Sequence, residues 1–356
     1  MKIILLNLPL DNNYGGNLQR YALMKVLQDM GHDVTHIYLK VHYSLPWFKH
    51  PIIYAKRLIK KFIFRMHINI NEEYYRNIEY EKSLSPILPF YNMYINHTRE
   101  CYNVKDIIKE TRGTYDAILV GSDQVWRKDM TIGIGLNNYF LEFADYGKKR
   151  VAYSVSIGGS YIGLSPEEIV RYGYLYKQFA AVSVRETNCM SIFNDIGWKE
   201  PESVITLDPV LLLEKKDYLA IIKENNCKNI TEGKSFCYIL DYNNNIGEKI
   251  QEIEHESKLE NYIQLLNEDV TIPQWIANLY YANQIITDSY HGVVLSILFC
   301  KPFIFLGNER RGNSRLSSLF KILNIDSNST LDLQWCNIHS RLKELRNYSL
   351  CYLMNI

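Results

Sequence analysis

Apolar, β-branched runs recur along the whole chain: "KIILLNL", "DVTHIYL", "DAILVGS", "RVAYSVSIG", "FAAVSVRE", "SVITLDP", "SFCYIL", "NYIQLL", "NQIITDS" and "PFIFLG". Most are separated by segments whose apolar residues recur at helical spacing. Short continuous apolar runs fit strands covered on both faces, and their alternation with helices predicts an α/β fold with largely parallel pairing. So many strands exceed one small sheet, so two Rossmann-like domains facing a cleft are expected. The segment "YIGLSPEEIVRYGYLYKQ" separates two strand clusters and is the expected hinge. It divides an N-terminal domain at 1–165 from a C-terminal domain at 166–335. The remaining residues, 336–356, are expected to form a helix that packs back toward the junction.

A chain of 356 residues is long enough for two cores. With 47% hydrophobic residues and a formal charge of +1, it has neither the basic excess of a nucleic-acid binder nor the bias of a disordered chain, so anion recognition must be local. Cys101, Cys189, Cys227, Cys237, Cys300, Cys336 and Cys351 form no CxxC pair, which fits reduced thiols in a cytoplasm and argues against zinc; no metal is expected. The opening apolar run reads as a first strand, too short for a signal peptide and broken by Pro9 and Asp11. No stretch approaches the roughly 18 apolar residues needed to span a bilayer, so a cytoplasmic protein, soluble or peripheral at the inner membrane face, is expected. Residues 45–70, "LPWFKHPIIYAKRLIKKFIFRMHINI", mix aromatic and aliphatic residues with lysine and arginine. They read either as a membrane-surface helix or as a helix covering the sheet with its charged face solvated.

Several strand ends carry candidate chemistry. After the first run, "DNNYGGNLQR" places Asn13, Tyr14, Gly15, Gly16, Asn17 and Gln19 at a strand-to-helix turn. Glycines there admit a ligand close to backbone N–H groups at a positive helix end, or serve an ordinary capped turn. "VGSDQVW" puts Ser122, Asp123 and Gln124 at a carboxyl edge, where open α/β sheets bind ligands; Asp123 suits proton transfer or a sugar hydroxyl, and Ser122 or Asp123 suits capping. Arg185 ends another strand, where a guanidinium can bind carboxylate or phosphate bidentately or pair with Glu186 or Asp208. Asp208, followed by Pro209, reads as structural. "TDSYHG" sets Ser289 and His291 at a second glycine-containing turn, where His291 can hold an anion or pass a proton. "GNERRGNSR" gathers Arg310, Arg311 and Arg315, either an anion clamp or a solvated charge run.

Taken in order, "NYGGNLQRYAL", "VGSDQVW", "VSVRET", "LDPVLLL" and "ITDSYHGVVLSILFCKPFI" resemble the polysaccharide pyruvyl transferase family, across residues 3 to 325. The resemblance implies a fold like that of GT-B glycosyltransferases, and transfer of a pyruvyl group from phosphoenolpyruvate, a co-substrate, to a sugar of a bacterial surface glycan or its lipid-linked precursor. It matches the family's arginine to Arg185 and its histidine to His291. Some members carry Arg-Leu-His where this chain has Ser289, Tyr290 and His291, which leaves the donor contact to Arg310, Arg311 or Arg315. Forming a pyruvate ketal requires an acid near the enol carbon, a base for the sugar hydroxyl and cations for the donor's carboxylate and phosphate. The expected catalytic residues are His291, Asp123 and Arg185, with Ser289 on the donor side. Asn13, Tyr14, Gly15, Gly16, Asn17, Gln19, Ser122, Asp123 and Gln124 are expected to line the acceptor side. A glycosyltransferase using a nucleotide sugar and a non-catalytic glycan-binding subunit are the alternatives.

Overall fold

The apolar runs become the strands of two parallel sheets in a computed structural model that describes residues 1–131, 133–159, 161–242, 244–257, 262–264, 270–307, 314–326 and 330–356. The first sheet holds β1 (Lys2–Leu6), β2 (Asp33–His36), β3 (Ala117–Val120), β4 (Lys149–Val155), β5 (Ala181–Val184) and β6 (Ser203–Ile205), ordered β2-β1-β3-β4-β5-β6. The second holds β7 (Ser235–Tyr238), β8 (Tyr262–Gln264), β9 (Gln284–Thr287) and β10 (Phe303–Phe305), ordered β10-β9-β7-β8. Parallel pairing requires a crossover after each strand and covers both faces, which is why "AILV" of β3 and "SFCY" of β7 are buried at every position. Ile3 of β1 pairs with Val34 on one side and Ala117 on the other, so the chain reverses direction of sheet growth between β1 and β3. The second sheet reverses between β7 and β9. Such reversals open a crevice at the carboxyl ends of the strands.

The sheets do not divide where the sequence suggested. The expected hinge at 165/166 lies inside the first sheet, because the helix Pro166–Tyr176 is the crossover from β4 to β5. Ser165 and Glu168 close a capping box at its start. The helix resembles a linker because it rides on the outside, with Val170 and Tyr174 exposed. Strands β5 and β6 therefore extend the first lobe to Ile205, and Arg185 stands on that lobe, not on the second.

One apolar core crosses the junction. It joins Leu18 and Leu23 of helix α1 (Tyr14–Asp29), the segment Leu207–Leu213, and Trp275, Val293 and Val294 of the second lobe. Separate clusters fill the outer faces of the two sheets. Tyr14 stitches the seam: its hydroxyl donates to the Val270 carbonyl at 2.5 Å and its ring packs against Tyr238 and Trp275. Helices α2 (His50–Phe62) and α3 (Glu72–Leu84) form an outlying hairpin; α2 buries no residue, so it does not cover the sheet. No helix among the described residues is long and apolar enough to cross a membrane.

The helix Trp335–Met354 returns to the first lobe. Arg346 donates to the carbonyls of Leu211 and Leu213, and Tyr352 to that of Ala152 in β4. Buried Ser349 accepts the Leu207 N–H at 3.0 Å. Ser349→Ala would leave that buried donor unpaired; it is expected to lower the unfolding free energy in urea by about 1–3 kcal/mol.

Candidate functional site

Both carboxyl edges deliver polar side chains to one buried place between the lobes. The local architecture begins with two capped helix starts. Asn13, extended at φ −77°, accepts the Gly16 N–H and opens α1. Ser289 does the same for Gly292 at the start of the helix Tyr290–Phe299. These two helix ends press together through Gly15 and His291. A Cβ on residue 15 would lie 2.0 Å from His291 Nδ1, so only glycine admits the imidazole there. Gly16 meets no such limit, its nearest neighbour standing at 3.6 Å. Gly292 is equally constrained, since a Cβ would come within 2.5 Å of Thr287 Oγ1.

Arg185 occupies the centre. Its Nη1 donates to Asp208 Oδ2 at 2.8 Å and its Nη2 to Asp123 Oδ1 at 3.0 Å, with the guanidinium 4.9 Å from the Tyr290 ring centre. Asp208, just beyond β6, gathers the rest. Gln19 Nε2 donates to its Oδ2 at 2.6 Å, the Val210 N–H to its Oδ1 at 3.0 Å, and His291 Nε2 stands 3.6 Å from Oδ2, within ion-pair range but beyond a hydrogen bond. Arg315, from the second lobe, reaches Asp123 Oδ1 at 3.3 Å and flanks the same Tyr290 ring at 5.4 Å. First and second lobes thus share a carboxylate–guanidinium network in which Asp123 is the most open member, at 18% side-chain exposure.

Burial opposes ionisation of Asp208, but His291, Arg185 and the Val210 N–H outweigh it and hold its carboxyl far below the usual carboxylate range. Asp123 is likewise held low: burial works against its charge, and Arg185, Arg315 and His291 prevail. Burial disfavours the Arg185 charge, yet Asp123, Tyr290, Asp208 and Glu186 together raise its pKa, so the guanidinium is locked in its ionised form. Arg315 is shifted downward, by burial and then by Arg185 beside it. Asp123 also holds a left-handed backbone, φ +74°, a conformation that aspartate tolerates better than most residues and that clusters at functional sites.

The expected residues divide by location. Asp123, Arg185, His291 and Arg315 converge, while Arg310 and Arg311 lie outside the described residues. On the acceptor side, Asn17 is fully buried and braces the turn: its Nδ2 donates to the carbonyls of Asp11 and Asn13, and its Oδ1 accepts from Arg20. Asn13 and Ser289 are caps, Tyr14 belongs to the seam, and Gln19 is committed to Asp208. Gln124 is buried and accepts from Arg127 at its Oε1. Ser122, also buried, has a hydroxyl with no hydrogen-bond partner among the described residues. Asp208, which the sequence offered as an alternative partner of Arg185 and as structural, and Tyr290, to which it gave no role, complete the cluster. A strand-terminal aspartate answering Arg185 across a parallel pair was the available signal for Asp208; Tyr290 had none, because its role depends on where two distant arginines land.

None of the curated proteins matches the chain. Among solved structures, the Anabaena protein Alr3699/HepE, crystallised with UDP, is 11% identical, with 100% of each chain covered and a TM-score of 0.46. A putative UDP-N-acetylglucosamine 2-epimerase from Listeria monocytogenes is 12% identical, with 98% of this chain and 89% of that one covered and a TM-score of 0.46. A glycosyltransferase from Rickettsia africae is 14% identical, with 99% and 97% covered and a TM-score of 0.44. At such values the fold assignment rests on the chain's own two parallel sheets. The family model described as polysaccharide pyruvyl transferase matches residues 13–310, which takes in Asn13, Asp123, Arg185, Asp208 and His291. The chain, with its two α/β lobes joined at that charged cluster, belongs to the polysaccharide pyruvyl transferase family.

Proposed function

We propose that the protein transfers a pyruvyl group from phosphoenolpyruvate to a sugar of a bacterial surface polysaccharide or its lipid-linked precursor, closing a pyruvate ketal. The observation that carries this reading is the convergence of Arg185 and Arg315, from opposite lobes, on one partly open carboxylate, Asp123, with His291 beside it. A small, multiply charged donor needs fixed cations where its carboxylate and phosphate sit. Both guanidiniums are held in place in advance by Tyr290.

In the reaction, a proton adds to the methylene carbon of the enol, the adjacent carbon becomes oxocarbenium-like, and a sugar hydroxyl attacks it and loses its proton. The carbon–oxygen bond to phosphate then breaks, and a second hydroxyl of the sugar closes the ring. His291 serves the phosphate side, as anion contact and proton source. Asp123 faces the acceptor. An incoming donor carboxylate competes with Asp123 for Arg185 and Arg315; as those cations turn to the donor, the proton affinity of Asp123 rises and it becomes a better base for the hydroxyl. Asp208 positions the group by fixing Arg185 and facing the His291 ring.

Acceptor-dependent release of phosphate from phosphoenolpyruvate, with galactose- or mannose-type acceptors, tests the reading; reaction with a nucleotide sugar and indifference to phosphoenolpyruvate would overturn it. Replacing Arg185 or His291 with alanine is expected to cut turnover at least about a hundredfold. Gly15→Ala displaces the His291 imidazole and is expected to cost about a hundredfold in turnover, whereas Gly16→Ala, with room for its methyl, leaves turnover within a few-fold of the parent.

Acid sensitivity provides a separate check on Asp208. Its folded pKa lies below the value of about 3.9 for an unperturbed aspartate, so its stabilising effect is complete above that value and is lost as pH falls toward the folded pKa. In urea titrations across this acid range, Asp208→Asn should flatten the fall of unfolding free energy with decreasing pH. At neutral pH the same change should destabilise the protein by about 3 kcal/mol, because it strips a counter-charge from a buried guanidinium.

A further inference from the structure

Helix α2 is built inside out. Among the described residues its ion-paired side chain is Arg57, which pairs with Glu73 at 2.6 Å and Glu72 at 3.0 Å on α3 and donates to the Ile70 carbonyl. At about 100° of rotation per residue, Ile52, Ala55, Ile59, Phe62 and Ile63 fall within one arc opposite Arg57. That arc is apolar and faces solvent: Ile52 is 61% exposed, Ile59 46%, and Phe62 and Ile63 each 69%. The apolar surface continues at both ends, through Trp47 at 84% before the helix and Phe64 at 68% after it. A helix of a globular domain normally turns such a stripe inward.

Charge identifies what covers the stripe. Lys49, Lys56, Lys60 and Arg65 flank it and Lys61 lies on the helix's other side, all exposed, and none joins an ion pair among the described residues. No acidic residue occurs between Trp47 and Met66. A second copy of this face would set these cations against their own kind, whereas an anionic lipid surface offers both missing components. The acyl boundary accepts Ile59 and Phe62, the headgroup level suits Trp47, and lysines extend to lipid phosphates. We infer that α2, with its flanking aromatic residues, docks the protein on an anionic membrane surface, lying in the interface plane. The hairpin projects from the edge that carries the charged cluster: Tyr80 of α3 donates to the Leu10 carbonyl in the loop leading into α1. The inference concerns this surface alone and stands apart from the identity of the reaction.

Flotation of the full-length protein with vesicles tests it, using equal parts phosphatidylglycerol and phosphatidylcholine against phosphatidylcholine alone. Binding to the anionic vesicles and not the neutral ones is expected. Ile59→Asp with Phe62→Asp should abolish it, and Lys56→Glu, Lys60→Glu and Lys61→Glu together should weaken it about a hundredfold or more. Because α2 buries no residue, circular dichroism and the rate with a soluble acceptor should be unchanged in both variants. Absence of binding to anionic vesicles, equal binding to neutral ones, or binding that survives both sets of substitutions would overturn the inference. So would a dimer in solution that Phe62→Asp converts to monomer.

Discussion

A buried guanidinium must be neutralised, and in this protein that requirement organises the junction between the lobes. Arg185 comes from the end of β5, and its two carboxylate partners come from the loop after β3 and the segment after β6. Removing these charges from water is costly unless their geometry is good and their remaining donors and acceptors are satisfied. Gln19 of α1 and the neighbouring Val210 N–H complete the Asp208 carboxylate and Tyr290 of the second lobe stacks on the guanidinium, while the buried Arg185 Nε has no hydrogen-bond partner among the described residues. The result is a set of opposite charges close enough to stabilise one another, with Asp123 its most open member.

The histidine depends on a different constraint, one of space. His291 can face Asp208 only because residue 15 has no side chain, so the tight turn at the start of α1 serves the second lobe's imidazole as much as its own helix. The double glycine therefore splits into two roles. Gly15 makes room for a distant residue, while Gly16 contributes its N–H to the Asn13 cap.

Strands were legible because burial on both faces writes a local signature: runs such as "DAILVGS" and "NQIITDS" need no partner to be recognised. Arg185 and His291 were legible because strand ends in α/β sheets expose side chains to a common edge. Assigning Arg185 to the second lobe failed because a crossover helix and an interdomain linker both begin with a capped polar turn; that Tyr172, Leu175 and Tyr176 of this helix pack into the first lobe's core shows only in three dimensions. Asn17 and Gln124 invited a ligand role because amides favour sugar hydroxyls, but the same groups also satisfy buried turns, as Asn17 does with Arg20 and Gln124 with Arg127. Asp208 was underestimated because a proline-terminated strand accounts for an aspartate locally, whereas its partners Gln19 and His291 are remote in the chain.

The apolar core shared across the junction bears on whether the lobes can be separated. Leu18, Leu207, Val210 and Val293 belong to a single cluster, so on the side facing the junction neither lobe closes its hydrophobic core alone. Cutting and recombining the halves with those of relatives would strand apolar surface on both pieces.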